Sequence, residues 1–269
     1  MLKHPIIMGV LNVTPDSFYD GGRFNSIDAW LEHAEKMLSE GADIVDIGGF
    51  SSRPGCSFVS ADEELRRVLP VVVGLKRRFP DAKISVDTFR TKVAQECIAV
   101  GTCLINDISG GNIEPEIWDI IAENHHINYV LMHGVESLET LHHNIDENAD
   151  IVTLVKKFFT TKIKQLQAKG IDNQRIILDP GFGFGKTITQ NYQLLHNLNT
   201  FAEMGTVLAG LSRKSMIWKV LRITAEESLQ NTMILNMLAL INGATYLRVH
   251  DVKEAVATVK LYRELTIDN

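Results

Sequence analysis

Eight short runs rich in β-branched residues recur along the chain, at residues 6–13, 43–49, 83–88, 103–109, 129–133, 175–181, 207–212 and 246–251, with helical spacing between them. Apolar strands of this length, each followed by a helix, form parallel sheets whose two faces are both covered. Eight such units close into a (β/α)8 barrel, with a doubly wound open sheet as the alternative. A length of 269 residues, 45% of them hydrophobic, suits a single barrel domain spanning 1–269.

The intervening segments agree. Residues 28–38 place Trp30, Leu31, Ala34, Met37 and Leu38 on one face, and Gly41 follows as a stop signal. Ser60 and Glu63 read as a capping box opening a helix that carries Leu65, Val68, Leu69 and Val72. Residues 232–241 are apolar almost all round, which predicts deep burial or an oligomer face and favours a homodimer. The polar stretch 134–150 reads as an exposed connection.

Charge narrows the partners. A net charge of −6 argues against nucleic acid and against an anionic membrane surface, leaving a small molecule. Cys56, Cys97 and Cys103 lack metal-ligand spacing and read as reduced thiols, which suits a cytoplasmic protein. No signal peptide and no apolar run long enough to span a bilayer is legible.

The densest chemical signal is DPGFGFGKT, residues 179–187, directly after an apolar run. Three glycines alternating with Phe182 and Phe184 describe a loop whose backbone comes close to a ligand. It is not a phosphate-binding P-loop, since Pro180 stands where that motif needs its first glycine, and Lys186 replaces the last glycine of G-x-G-x-x-G.

In a barrel, residues at the C-terminal ends of the strands form the active site. Those ends here carry Asn12 and Thr14, Asp46, Asp87, Asn106 and Asp107, His133, Asp179, Ser212 with Arg213 and Lys214, and Arg248 with His250 and Asp251. Carboxylates and amides on one rim can read a heterocycle rich in N–H and C=O groups, while Arg53, Lys214, Arg248 and His250 can hold an anion. Alternation along a strand sends Arg248 and His250 to the same face.

These residues bring out a resemblance that covers nearly the whole chain. MGVLNVTPDSFYDGG (8–22) and GADIVDIGGFSSRPG (41–55), followed in order by SVDT, IND, LMH, LDPGFGFGKT, SRKS and RVHD, resemble the dihydropteroate synthase family. The resemblance implies condensation of 6-hydroxymethyl-7,8-dihydropterin pyrophosphate with p-aminobenzoate on a (β/α)8 barrel, usually with Mg2+. By position it implies that Asp87, Asn106, Asp179 and Lys214 read the pterin, and that Asn12, Ser52, Arg53, Arg248 and His250 meet the pyrophosphate, Asn12 also serving the metal. Ser51, Ser52, Pro54, Phe184, Lys214 and Ser215 fall to p-aminobenzoate, and Asp87, Lys214 and Arg53 to catalysis.

Three departures stand out: Phe50 where the family motif has glutamate, Ser52 for threonine, and Gly134 after Met132-His133 without the usual continuation. A barrel with the same pterin pocket also serves methyltransferases acting on methyltetrahydrofolate, but SSRPG, GFGFGK and SRKS favour the synthase. Phe50 leaves open a pterin-binding paralogue without catalysis.

Overall fold

The computed structural model describes residues 4–14, 27–50, 59–134, 137 and 145–265. The eight expected strands are all present: β1 (Ile6–Asn12), β2 (Ile44–Gly48), β3 (Lys83–Asp87), β4 (Leu104–Asp107), β5 (Asn128–Met132), β6 (Ile176–Asp179), β7 (Thr206–Ala209) and β8 (Tyr246–Val249). They pair in parallel in chain order, and β8 pairs back onto β1 to close the barrel. Among the described residues the helices are α1 (Ile27–Glu40), α2 (Ala61–Arg78), α3 (Thr91–Ala99), α4 (Ile117–Glu123), α5 (Ile151–Ala168), α6 (Ile188–His196), α7 (Asn199–Ala202), α8 (Ser215–Leu221), α9 (Leu229–Ile241) and α10 (Val252–Glu264).

Period two along each strand sorts residues into two cores. One set, including Leu11, Val45, Ile47, Val86, Ile105, Leu131, Leu178 and Val249, packs outward under the helices. The other fills the barrel, where Met8, Ile44, Leu104, Val130, Ile177 and Leu208 form an apolar plug. Two residues further along the same interior face the side chains turn polar: Asp46, Asn106, Asp179 and Arg248. The plug closes one end of the barrel and the polar layer above it becomes the floor of a site.

The helices follow their local signals. In α1, Trp30, Leu31, Ala34 and Met37 are buried, and the chain leaves through Gly41 at φ +105°. Ser60 caps α2 by accepting from the Glu63 N–H at 3.2 Å, but the expected reciprocal bond is replaced: the Glu63 carboxylate instead takes Arg66 and Arg67 at 2.7–2.9 Å. The full capping box occurs on α6, between Thr187 and Gln190. Helix α9 is apolar on both sides, with Leu235, Ala239 and Leu240 buried and Ile234, Leu238 and Ile241 exposed. No described helix is long and apolar enough to cross a membrane. Most of the stretch expected as an exposed connection, 134–150, lies outside the described residues, as does Cys56.

Candidate active site

The C-terminal ends of the strands surround a cavity lined by Val10, Asp87, Asn106, Ile108, Met132, Asp179, Phe182, Phe184, Gly210, Ser212, Lys214, Arg248 and His250. The register explains why these side chains converge. Asn12 pairs with Gly48, Gly48 with Asp87, and Asp87 with Asn106, which gives one row across four strands. Gly48 leaves the row open: a methyl there would meet the Asn12 Oδ1 and an Asp87 oxygen, each at 3.7 Å.

Arg248 organises the charge. Its Nε donates to Asp46 Oδ2 at 2.7 Å and its Nη2 to Asp87 Oδ2 at 2.6 Å. Asp46 Oδ2 also accepts from the Asn106 amide at 3.0 Å, and Asp46 is wholly buried. An isolated buried carboxylate would be costly, so Arg248 stabilises Asp46 as well as facing the cavity. Burial raises the Asp87 carboxyl to about 7, with Arg248 opposing the rise and Asp46 adding to it. Burial lowers the Lys214 ammonium to about 8, against the pull of Asp179, and its Nζ sits 4.5 Å from the centre of the Phe184 ring.

Asp179 ends β6 with its carboxyl raised, again chiefly by burial, and its Oδ1 accepts the Gly181 N–H at 2.7 Å. Asp179 also lines the cavity. His250, on the exposed rim, pairs through Nδ1 with Ser212 Oγ at 3.0 Å. Ser215 opens α8 immediately after Lys214. Thus Asp87, Asn106, Asp179, Lys214, Arg248, His250 and Phe184 are brought together, whereas Asn12 and Ser215 do not line the cavity: Asn12 lies across Gly48 from Asp87, and Ser215 follows Lys214 in the chain. Ser51, Ser52, Arg53 and Pro54 lie outside the described residues. Among the described residues on either side, Arg67 donates to the Gly49 carbonyl at 3.1 Å, and Arg90, paired with buried Glu64 at 2.9 Å, donates to the Val59 carbonyl.

Phe50 does not act as a charged group. It packs edge-on against Phe89, ring centres 5.9 Å apart, in a cluster with Ile108, Ile113, Met132 and Phe184. The cavity therefore has an apolar shelf beside its polar floor. Asp46, expected on the rim, does not line the cavity but underlies it as the partner of Arg248 and Asn106, while Lys186 and Asn191, which carry no expected role, bond to the backbone of the loop after β6.

His133 points away from the cavity, edge-on to Phe158 at 5.0 Å, with Nδ1 unpartnered. Burial, with Lys186 adding, pushes its ring down to about 3. Since the folded value lies below the unfolded value near 6.5, the unfolded chain takes up the proton first, and stability falls as pH drops from about 6.5 toward 3. We expect His133→Met to remove about 2 kcal/mol of the stability lost between pH 7 and pH 5. Urea unfolding at the two pH values checks it, and parallel losses in both proteins would refute it.

A floor of acceptors facing a cation, with an aromatic wall, is the site of an enzyme that grips a polar heterocycle. The family model described as "Pterin binding enzyme" matches residues 8–250. The chain is 41% identical over 261 residues to the dihydropteroate synthase of Escherichia coli (strain K12), covering 97% of this chain and 91% of that one. Its fold matches the dihydropteroate synthase of Clostridium difficile, solved in the presence of pteroic acid, with a TM-score of 0.91 at 38% identity, covering 98% and 97% of the two chains. The Xanthomonas albilineans dihydropteroate synthase solved with 4-aminobenzoic acid gives 0.90 at 38%, covering 98% and 94%. The chain belongs to the dihydropteroate synthase family of pterin-binding enzymes.

Proposed function

We infer that the chain condenses 6-hydroxymethyl-7,8-dihydropterin pyrophosphate with p-aminobenzoate, giving 7,8-dihydropteroate and pyrophosphate in folate biosynthesis. The observation that carries this is the convergence of Asp87, Asn106, Asp179 and Lys214 beside the Phe184 ring in one cavity. A pterin offers an amino group and a ring N–H side by side, and the cavity-facing side of Asp179 is an acceptor for such donors. Phe184 supplies a face for an aryl ring, and the first turn of α8 at Ser215 favours its carboxylate.

Reaction proceeds by breaking the C–O bond of the pterin methylene, its electron pair leaving with pyrophosphate. The lone pair of the arylamine nitrogen then forms the C–N bond, and that nitrogen gives up a proton. Asp87 faces the cationic pterin formed between these steps, and its own carboxyl is held beside Arg248. Arg248 and His250 line the same cavity as cation and hydrogen-bonding partner for the departing anion. No nucleophilic side chain is required.

Mg2+ fits as a companion of the pyrophosphate. The described residues hold no cluster of three acidic or imidazole ligands, and Mg2+ that binds through substrate phosphates needs only one or two protein oxygens. Asn12, a hard oxygen donor at the end of β1, would hold it, and its charge would ease departure of the anion.

We assign the outer faces of α8, α9 and α10 to a homodimer contact. Val220, Leu221, Ile234, Leu238, Ile241, Leu261 and Leu265 are large apolar side chains exposed there, a set that a second copy of the chain would cover. Methyltransfer from methyltetrahydrofolate needs no arylamine wall, so the Phe184 side of the cavity favours the synthase over that reading.

Pyrophosphate release measured with pterin pyrophosphate, with and without p-aminobenzoate, tests the activity. Release and a pteroate product that both require the arylamine are expected. Pterin binding without turnover would reduce the chain to a binding protein.

A further inference from the structure

We propose that Lys186 and Asn191 are positioning residues that set the arylamine wall of the cavity, an inference that rests on the synthase reading. The loop after β6 has little stiffness of its own: Gly181, Gly183 and Gly185 adopt φ of +70°, +82° and +64°. Glycine reaches these angles freely and leaves them as freely, so the Phe184 ring needs an external brace.

Two buried side chains supply it. The Lys186 ammonium donates to three backbone carbonyls, His133 at 2.9 Å, Gly181 at 2.8 Å and Phe184 at 3.1 Å, which matches its three donors. It ties the loop to the end of β5. Asn191, on α6, accepts the Gly183 N–H through Oδ1 at 2.7 Å and donates through Nδ2 to the carbonyls of Lys186 at 3.2 Å and Thr187 at 2.7 Å. Lys186 is 8% exposed and Asn191 2%, so water cannot take over these bonds.

The braced backbone touches the site directly. A Cβ on Gly183 would lie 3.2 Å from the Lys214 Cδ, and the Phe184 ring carries the Lys214 ammonium. Neither brace lines the cavity, and neither contacts Asn106 or Asp87. Loosening the braces therefore acts first on Phe184 and Lys214, reaches Asp179 only through Gly181 and the nearby Lys186 charge, and leaves Asn106 and Asp87 in place.

The test uses full-length Lys186→Met, Asn191→Leu and Asn191→Asp, with pterin pyrophosphate and p-aminobenzoate as probes. The Michaelis constant for p-aminobenzoate should rise about tenfold or more in the first two, while calorimetric affinity for pterin pyrophosphate falls by a clearly smaller factor, least in Asn191→Leu, which leaves the Lys186 charge beside Asp179 in place. Asn191→Asp keeps the acceptor for Gly183 and loses both donors, so it should fall between them and the parent. Equal loss of both affinities in a folded variant, or an unchanged arylamine constant, overturns the proposal. If Lys186→Met does not fold, the two Asn191 variants decide alone. A parent protein that binds no pterin pyrophosphate would instead remove the synthase reading, which separates the two failures.

Discussion

Asp179→Asn should weaken pterin binding by about a hundredfold or more, the loss of a charged hydrogen bond of about 1.5–3 kcal/mol together with a donor placed against a donor. The orientation of the new amide is dictated by the loop. Oδ1 of Asp179 already accepts the Gly181 N–H at 2.7 Å, so the asparagine carbonyl must stay on that bond and its NH2 must face the cavity. A flipped amide would set two N–H groups against each other at Gly181. Calorimetry with a pterin lacking the pyrophosphate isolates this effect from the anion, and unchanged affinity would remove Asp179 from the pterin site.

Arg248→Ala should have a larger consequence than loss of an anion contact. Removing one partner of a buried ion pair costs about 3–5 kcal/mol, because the remaining charge is stranded. Here two carboxylates are stranded, Asp46 with no exposure and Asp87 with its side chain 20% exposed. Binding of both the pyrophosphate substrate and a pterin without pyrophosphate should suffer, since Asn106 shares Asp46 Oδ2 with Arg248. Urea unfolding and calorimetry with the two ligands check this. A fully stable variant that loses only the pyrophosphate ligand would show that Arg248 serves the anion alone.

The fold was legible because a covered parallel strand has no polar face to hide it. All of β2, β4 and β6 is buried, and these strands fall inside the apolar runs from which they were expected. Their ends were less legible, since a turn can begin inside an apolar run: β4 stops at Asp107, whose oxygens take the N–H groups of Ser109 and Gly111 and the Tyr129 hydroxyl. The cavity residues were legible through the period-two rule, which carried Arg248 and His250 to one side. Asp46 escaped notice as a partner because its contacts, Arg248 and Asn106, are distant in sequence. Lys186 and Asn191 escaped it because their partners are mostly backbone atoms, which every residue possesses.

Phe50 illustrates a further limit. The exchange of a charged residue for an aromatic one is visible in the motif, but the partner the new ring takes is set in space: it is Phe89, whose ring centre lies 5.2 Å from the Arg90 guanidinium carbon.

The two halves of the site differ in how they are wired. Arg248 reaches Asp46 and Asp87 across 202 and 161 positions of the chain, so no segment can be lifted out without breaking it. The loop after β6 and the helix that follows it carry most of their own fastenings within residues 179–191, the His133 carbonyl being the one outside attachment of Lys186. Barrels diversify by exchanging the loops at one end. In this chain the Phe184 wall is close to a cassette, joined to the rest through a few backbone bonds at His133, Ile145 and Asp146, whereas the charged floor belongs to the barrel as a whole.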